Sequence, residues 1–137
     1  MHTIDPDQLL CVQLESAPVA ARLARVHVRE ICAGLVADID DILLVVSELV
    51  TNAVKHGDGA PVTLRVTRYD AHLWVAVENT CTEQADLARP WEPHSENPTG
   101  RGLFLIAKCS EGLRLHTEPH RTIVEAKFPV LAPPSAR

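Results

Sequence analysis

The chain has 137 residues, 46% of them hydrophobic and 23% charged, a length for one domain with one core and a balance that excludes a disordered chain. Thirteen basic residues against 18 acidic ones leave a net charge of −5, which argues against a non-specific nucleic-acid binder while leaving room for a local basic patch. No apolar run approaches the roughly 20 residues that span a bilayer, and the opening MHTIDPDQLL has no basic stretch leading into an apolar segment, so a cytoplasmic protein with no membrane or direct nucleic-acid partner is expected.

The first element is a short strand, LLCVQL at 9–14. Pro18 is placed for the first turn of a helix that runs from about Pro18 to Leu35, with Ala20, Leu23, Ala24, Ile31 and Leu35 available for a core face. Arg22, Arg25 and Arg29 recur at spacings of three and four and share one side of it. Their commoner role is a solvated face; the sharper one is a docking stripe for an acidic partner. A second helix starts at Ala37-Asp38-Ile39-Asp40-Asp41, with acids where the helix dipole favours them. It continues to about His56, and Gly57-Asp58-Gly59 stops it.

Two alternating segments follow. Apolar side chains stand at 62, 64 and 66 in the first and at 73, 75 and 77 in the second, joined by the hairpin Tyr69-Asp70-Ala71-His72. Residues 80–99 are polar and hold Pro90, Pro93 and Pro98; so long a connection is usually a functional lid or disordered. Gly100-Arg101-Gly102 then opens a short helix. A last hairpin pairs 113–117 with 122–128 through Glu118-Pro119-His120-Arg121, and the tail at about 131–137 is expected to fray. A hairpin turn, rather than a metal pair, accounts for His116 and His120. The four cysteines, Cys11, Cys32, Cys81 and Cys109, form no C-x-x-C pair and are expected to be free thiols, three of them in the core. The order of elements implies an α+β two-layer sandwich, with a mixed or antiparallel sheet and helices on one face.

The polar stripe of the second helix is the strongest functional signal. Ser47, Glu48, Thr51, Asn52 and Lys55 share a face of an otherwise apolar helix. A merely solvated face prefers Glu, Lys, Arg and Gln, whereas Thr and Asn are poor mid-helix choices. Glu48 and Asn52, one turn apart, place two oxygen ligands side by side, suited to a hard cation such as Mg²⁺. Lys55, one turn on, can reach a phosphate as a point charge. Glycines at Gly100 and Gly102 let backbone N–H groups approach an anion at a helix mouth. No Ser/His/Asp or Cys/His set stands at motif spacing, so a small hydrolase has little support.

Together these motifs resemble the GHKL ATPase family, which includes gyrase and the histidine kinases. Glu48-x-x-x-Asn52-Ala53-x-Lys55-His56-Gly57 looks like the family's N-box, and Gly100-x-Gly102-Leu103 like its second glycine box. The small size is most similar to the anti-sigma-factor serine kinases of bacteria, and the resemblance covers about residues 9 to 130. It implies a single Bergerat-type ATP-binding domain over 1–137, with ATP between helices and lid. It implies Mg²⁺ on Asn52, Glu48 as general base or orienter of the attacking hydroxyl, and Lys55, Arg101 and the glycine loop near the phosphates. The implied partners are a sigma factor and an anti-sigma-factor antagonist whose serine is phosphorylated, and homodimers are frequent in the family. One departure stands out: where the family has Asp-x-Gly, with its carboxylate on the adenine amino group, this chain has Asn79-Thr80-Cys81. That favours, as an alternative, a protein-binding module with weak or lost ATP binding.

Overall fold

The computed structural model describes residues 7–80 and 109–131. Its elements in chain order are β1 (Gln8–Leu14), α1 (Ala20–Cys32), α2 (Ile39–His56), β2 (Val62–Tyr69), β3 (His72–Thr80), β4 (Gly112–Glu118) and β5 (Arg121–Pro129). The five strands form one sheet in the order β1-β2-β3-β5-β4, and every pairing is antiparallel. Both helices cover one face, giving the two-layer α+β sandwich expected from the order of elements.

Strict alternation builds the buried sheet face. Leu64 and Val66 of β2, Leu73, Val75 and Val77 of β3, and Val124, Ala126 and Phe128 of β5 all point inward, as a period of two requires. Ile42, Val45, Val46 and Leu49 of α2 are fully buried against this layer. The β2–β3 hairpin closes through Asp70 and Ala71, both left-handed at φ 53° and 60°, the two-residue geometry whose twist matches the flanking strands.

Asp38 begins α2 by accepting a hydrogen bond from the Asp41 amide at 3.3 Å, and Asp40 and Asp41 occupy the first turn. In α1 the core-facing arc is Ala20, Ala24, Val28 and Cys32, a run with a spacing of four, and its two alanines let the helix backbone approach closely. Leu23, expected in the core, is instead 42% exposed: it lies about 100° around the helix from Ala24. The helix ends at Cys32 rather than Leu35, where a turn with Gly34 left-handed at φ 87° takes over. Of the cysteines, Cys11 is exposed on β1, Cys32 is buried and Cys109 is half-buried against the core, and all three are free thiols. Burial pushes the Cys32 thiol up to about 11, so it stays protonated and inert.

Candidate functional site

The C-terminal half of α2 runs to the end of the sheet where Asn79 and Thr122 lie, and it carries the stripe. Each step of four residues advances about 40° around a helix, so the stripe does not stay on one side. Thr51 and Lys55 are exposed and Glu48 is half-exposed, but Asn52 has rotated into the core and is only 4% exposed. Its side-chain amide nitrogen is buried with no hydrogen-bond partner among the described residues. Carbonyl and amide ends of asparagine exchange by a half-turn, so the group can present a donor or an acceptor there. Ser47 turns the other way: its hydroxyl donates to the Leu43 carbonyl at 2.9 Å and accepts from Arg25 Nη1 at 3.0 Å.

Asn79 is the last inward residue of β3 and is 4% exposed, also with its amide nitrogen buried and unpartnered. The register continues through Asn79 to Thr80 without a bulge. Glu78 therefore faces the opposite side of the sheet, as strand alternation demands, and there pairs with Arg65 at 3.0 Å and Arg121 at 3.6 Å. Across the sheet, Asn79 is the register partner of Thr122, and Thr122 of Thr117. Thr122 is fully buried with its hydroxyl unpartnered. Sequence reading passed over it, although alternation back from Val124 and Phe128 already turned it inward.

The end of α2 is seated on Asn79. Gly57 is extended rather than left-handed, at φ −83° and ψ −177°, and its N–H bonds the Ala53 carbonyl. A Cβ at this position would stand 2.7 Å from the Ala53 oxygen and 3.2 Å from Asn79 Nδ2. Glycine is needed for close approach, not for a left-handed cap. The next residue fastens the loop to β3. The Asp58 amide donates to the Thr80 carbonyl at 3.2 Å, the Thr80 hydroxyl donates to Asp58 Oδ1 at 2.7 Å, and the Ala60 amide donates to the same oxygen at 3.0 Å. The Ala60 amide first, and then the Thr80 hydroxyl, hold the Asp58 carboxyl below its ordinary range.

His56, in the last turn, has Nε2 buried without a partner. Burial, and secondarily the charge of Lys55, lower its pKa from the ordinary 6.5. Asn52, His56, Asn79 and Thr122, like Arg121 at Nε, each keep a buried polar atom without a partner among the described residues, and Asn79 joins the end of α2 to Thr122. A buried polar group without a partner costs free energy, so such a cluster fits a place that a polar ligand completes.

Gly100, Arg101, Gly102 and Leu103, the expected phosphate loop, lie outside the described residues, as do Cys81 and nearly all of the expected lid. The arginines of α1 divide: Arg22 and Arg29 are exposed, and Arg25 is half-buried against Ser47.

The family model described as "Histidine kinase-like ATPase domain" matches residues 13–128. The chain belongs to the histidine kinase-like, or GHKL, ATPase family. Among solved structures it is similar to the RsbU and RsbW domains of Rv1364c from Mycobacterium tuberculosis, at 23% identity and TM-score 0.68, over 90% of this chain and 33% of that one. It therefore spans about a third of that chain's length. The SiaB–SiaC complex from Pseudomonas aeruginosa matches at 18% identity and TM-score 0.65, over 89% of this chain and 90% of the other. The histidine kinase domain of a blue-light activated histidine kinase from Erythrobacter litoralis matches at 24% identity and TM-score 0.52, over 82% and 60%. At these identities the likeness is one of fold. No curated protein matches the chain. Among the described residues no helix is long and apolar enough to cross a membrane.

Proposed function

We propose that this GHKL chain is a cytoplasmic ATP-binding regulator, an anti-sigma factor that phosphorylates a serine of an anti-sigma-factor antagonist. The observation that carries the reading is Asn52: a buried side chain whose amide nitrogen has no partner among the described residues, one turn from Glu48 and one from Lys55, on the helix whose end is seated on Asn79. The solved structures named above support a regulatory role, since one contains an RsbW domain and another is a two-protein complex.

The donor set fits Mg²⁺ and ATP. Turned by a half-rotation, Asn52 would present its side-chain oxygen where the nitrogen now has no partner, the ligand type a hard cation takes in small number. Mg²⁺ on Asn52 would supply neutralisation of phosphate charge. Lys55, exposed one turn on, offers a point charge to a phosphate, and Gly100, Arg101, Gly102 and Leu103 offer backbone N–H groups and a guanidinium. Glu48 is half-exposed at the rim, where a partner's hydroxyl can approach, and it orients that hydroxyl by accepting its hydrogen bond. At the base, the Asn79 side-chain oxygen would accept from the adenine amino group, and the Thr122 hydroxyl, on its register partner, would add a second polar contact. A neutral acceptor is about half as strong as a carboxylate. The substitution costs on the order of 1–3 kcal/mol, about a tenfold to hundredfold loss in affinity.

That same Asn79 favours a second reading, a protein-binding module that holds ATP weakly or not at all. The acceptor assay separates the two. Glu48→Ala should keep nucleotide binding and stop phosphorylation of the partner; phosphorylation at the wild-type rate would remove Glu48 from the mechanism. Of the arginine row Arg22, Arg25 and Arg29, the exposed Arg22 and Arg29 are the partner surface proposed here, with Arg25 held against Ser47 and homodimerisation a further property to be measured by sedimentation.

A further inference from the structure

Val19, Leu23 and Val26 keep exposures of 37%, 42% and 50% on α1 or its N-cap. Spacings of four and three set them in one line over two turns. The line lies opposite the buried arc of Ala24 and Val28, and Glu30 closes it at the C-terminal end. Single exposed valines are ordinary on any surface; an aligned ridge is the pattern that docks against a partner.

The ridge has a cationic margin. Arg22 and Arg29 are exposed along its side nearer α2. Arg25 is committed to Ser47 at 3.0 Å, and that bond fixes how the two helices face. Leu44 of α2, one turn before Ser47, is 37% exposed. The arginine row therefore has apolar groups on both sides, on a chain whose net charge is −5.

The charge pattern decides the occupant. Pairing α1 antiparallel with a second α1 across a two-fold axis would set one arginine margin against the other, a repulsive arrangement. A segment with apolar side chains on one stripe and carboxylates beside it meets both features at once. We propose that the α1 ridge docks an acidic amphipathic helix of a partner protein, with apolar residues at i, i+4 and i+7 and carboxylates facing Arg22 and Arg29. The inference rests on reading the chain as a partner-binding regulator, and not on nucleotide binding. It also places the docked helix alongside the helix that carries Glu48, one residue beyond Ser47.

The test uses a labelled synthetic helical peptide with leucines at i, i+4 and i+7 and glutamates on one margin, followed by fluorescence anisotropy, beside the same peptide with lysines at the glutamate positions. The glutamate peptide should bind and the lysine peptide should not. Leu23→Gln with Val26→Gln should weaken binding by at least about tenfold, the effect expected of central apolar anchors. Arg22→Glu with Arg29→Glu should weaken it similarly and shift preference to the lysine peptide. All four side chains are exposed, so unchanged thermal melting accompanies either result. Equal affinity for the two peptides, no binding up to about 1 mM, or variants that bind like wild type would overturn the proposal. So would a wild-type dimer that Leu23→Gln with Val26→Gln converts to monomer, since a second copy would then hold the ridge. ATP titration of the same proteins keeps the two readings apart: peptide capture without ATP binding removes only the nucleotide reading, and ATP binding without capture removes only the ridge.

Discussion

The two halves of α2 follow different rules. Its first half meets the sheet through Ile42, Val45, Val46 and Leu49, all fully buried, where packing complementarity is the whole of the interaction. Its second half meets the sheet through Asn52, His56 and the close approach of Gly57 to Asn79, where buried polar atoms lack partners. One end is optimised for stability and the other leaves stability unclaimed, the contrast expected if the polar end is the binding site proposed above.

Substitutions at the two ends should separate the two properties. Leu49→Ala opens a cavity at the apolar end and should cost about 2–5 kcal/mol of unfolding free energy, measured by urea denaturation, while the melted fraction alone accounts for any loss of binding. A loss below about 1 kcal/mol would mean this layer is loosely packed.

Gly57→Ala is the next largest. Its added methyl meets a carbonyl oxygen at 2.7 Å, and backbone cannot step aside as a side-chain tip can. The cost should be on the order of 1–3 kcal/mol, with a larger proportional effect on nucleotide binding, because the displaced group is Asn79. Gly59→Ala is the wrong control, since Gly59 is left-handed at φ 93°; Gly112→Ala, with open space around it, is the right one.

The smallest effect is a pH dependence. His56 has a folded pKa below its ordinary 6.5, so below that value the unfolded chain binds a proton the folded chain refuses. Its contribution to stability is therefore full above 6.5 and falls as pH drops through 6.5 toward the lower folded value. Wild type should lose more stability than His56→Gln between about pH 7.5 and about pH 5.5. Parallel losses would show that His56 does not titrate differently on folding.

How much of this was legible in the sequence follows the same division. Strand and helix positions, the hairpin turns and the inward and outward residues of β3 could be read within a few residues, because alternation and helical period are local. The N-box pattern is legible too, and Asn79 stands out in the sequence as a departure from the family pattern. Tertiary contacts were not. Leu23 looked like core until α1 packed on the arc through Ala24 and Val28. The Arg25–Ser47 bond joins residues 22 positions apart, and no spacing rule marks it. Thr122 carried a usable signal, since its inward phase follows from Val124, but nothing in one strand says that Asn79 will stand beside it.

The polar end of α2 is proposed to bind ATP in a Mg²⁺-dependent way. Calorimetric titration of wild type and Asn52→Ala with ATP, with and without Mg²⁺, tests it most directly. Wild type should bind with micromolar, Mg²⁺-dependent affinity. In Asn52→Ala that binding is lost while thermal stability is unchanged or raised, because an unpartnered buried amide has been removed. No heat from wild type up to about 1 mM ATP, or Asn52→Ala binding like wild type, would contradict it.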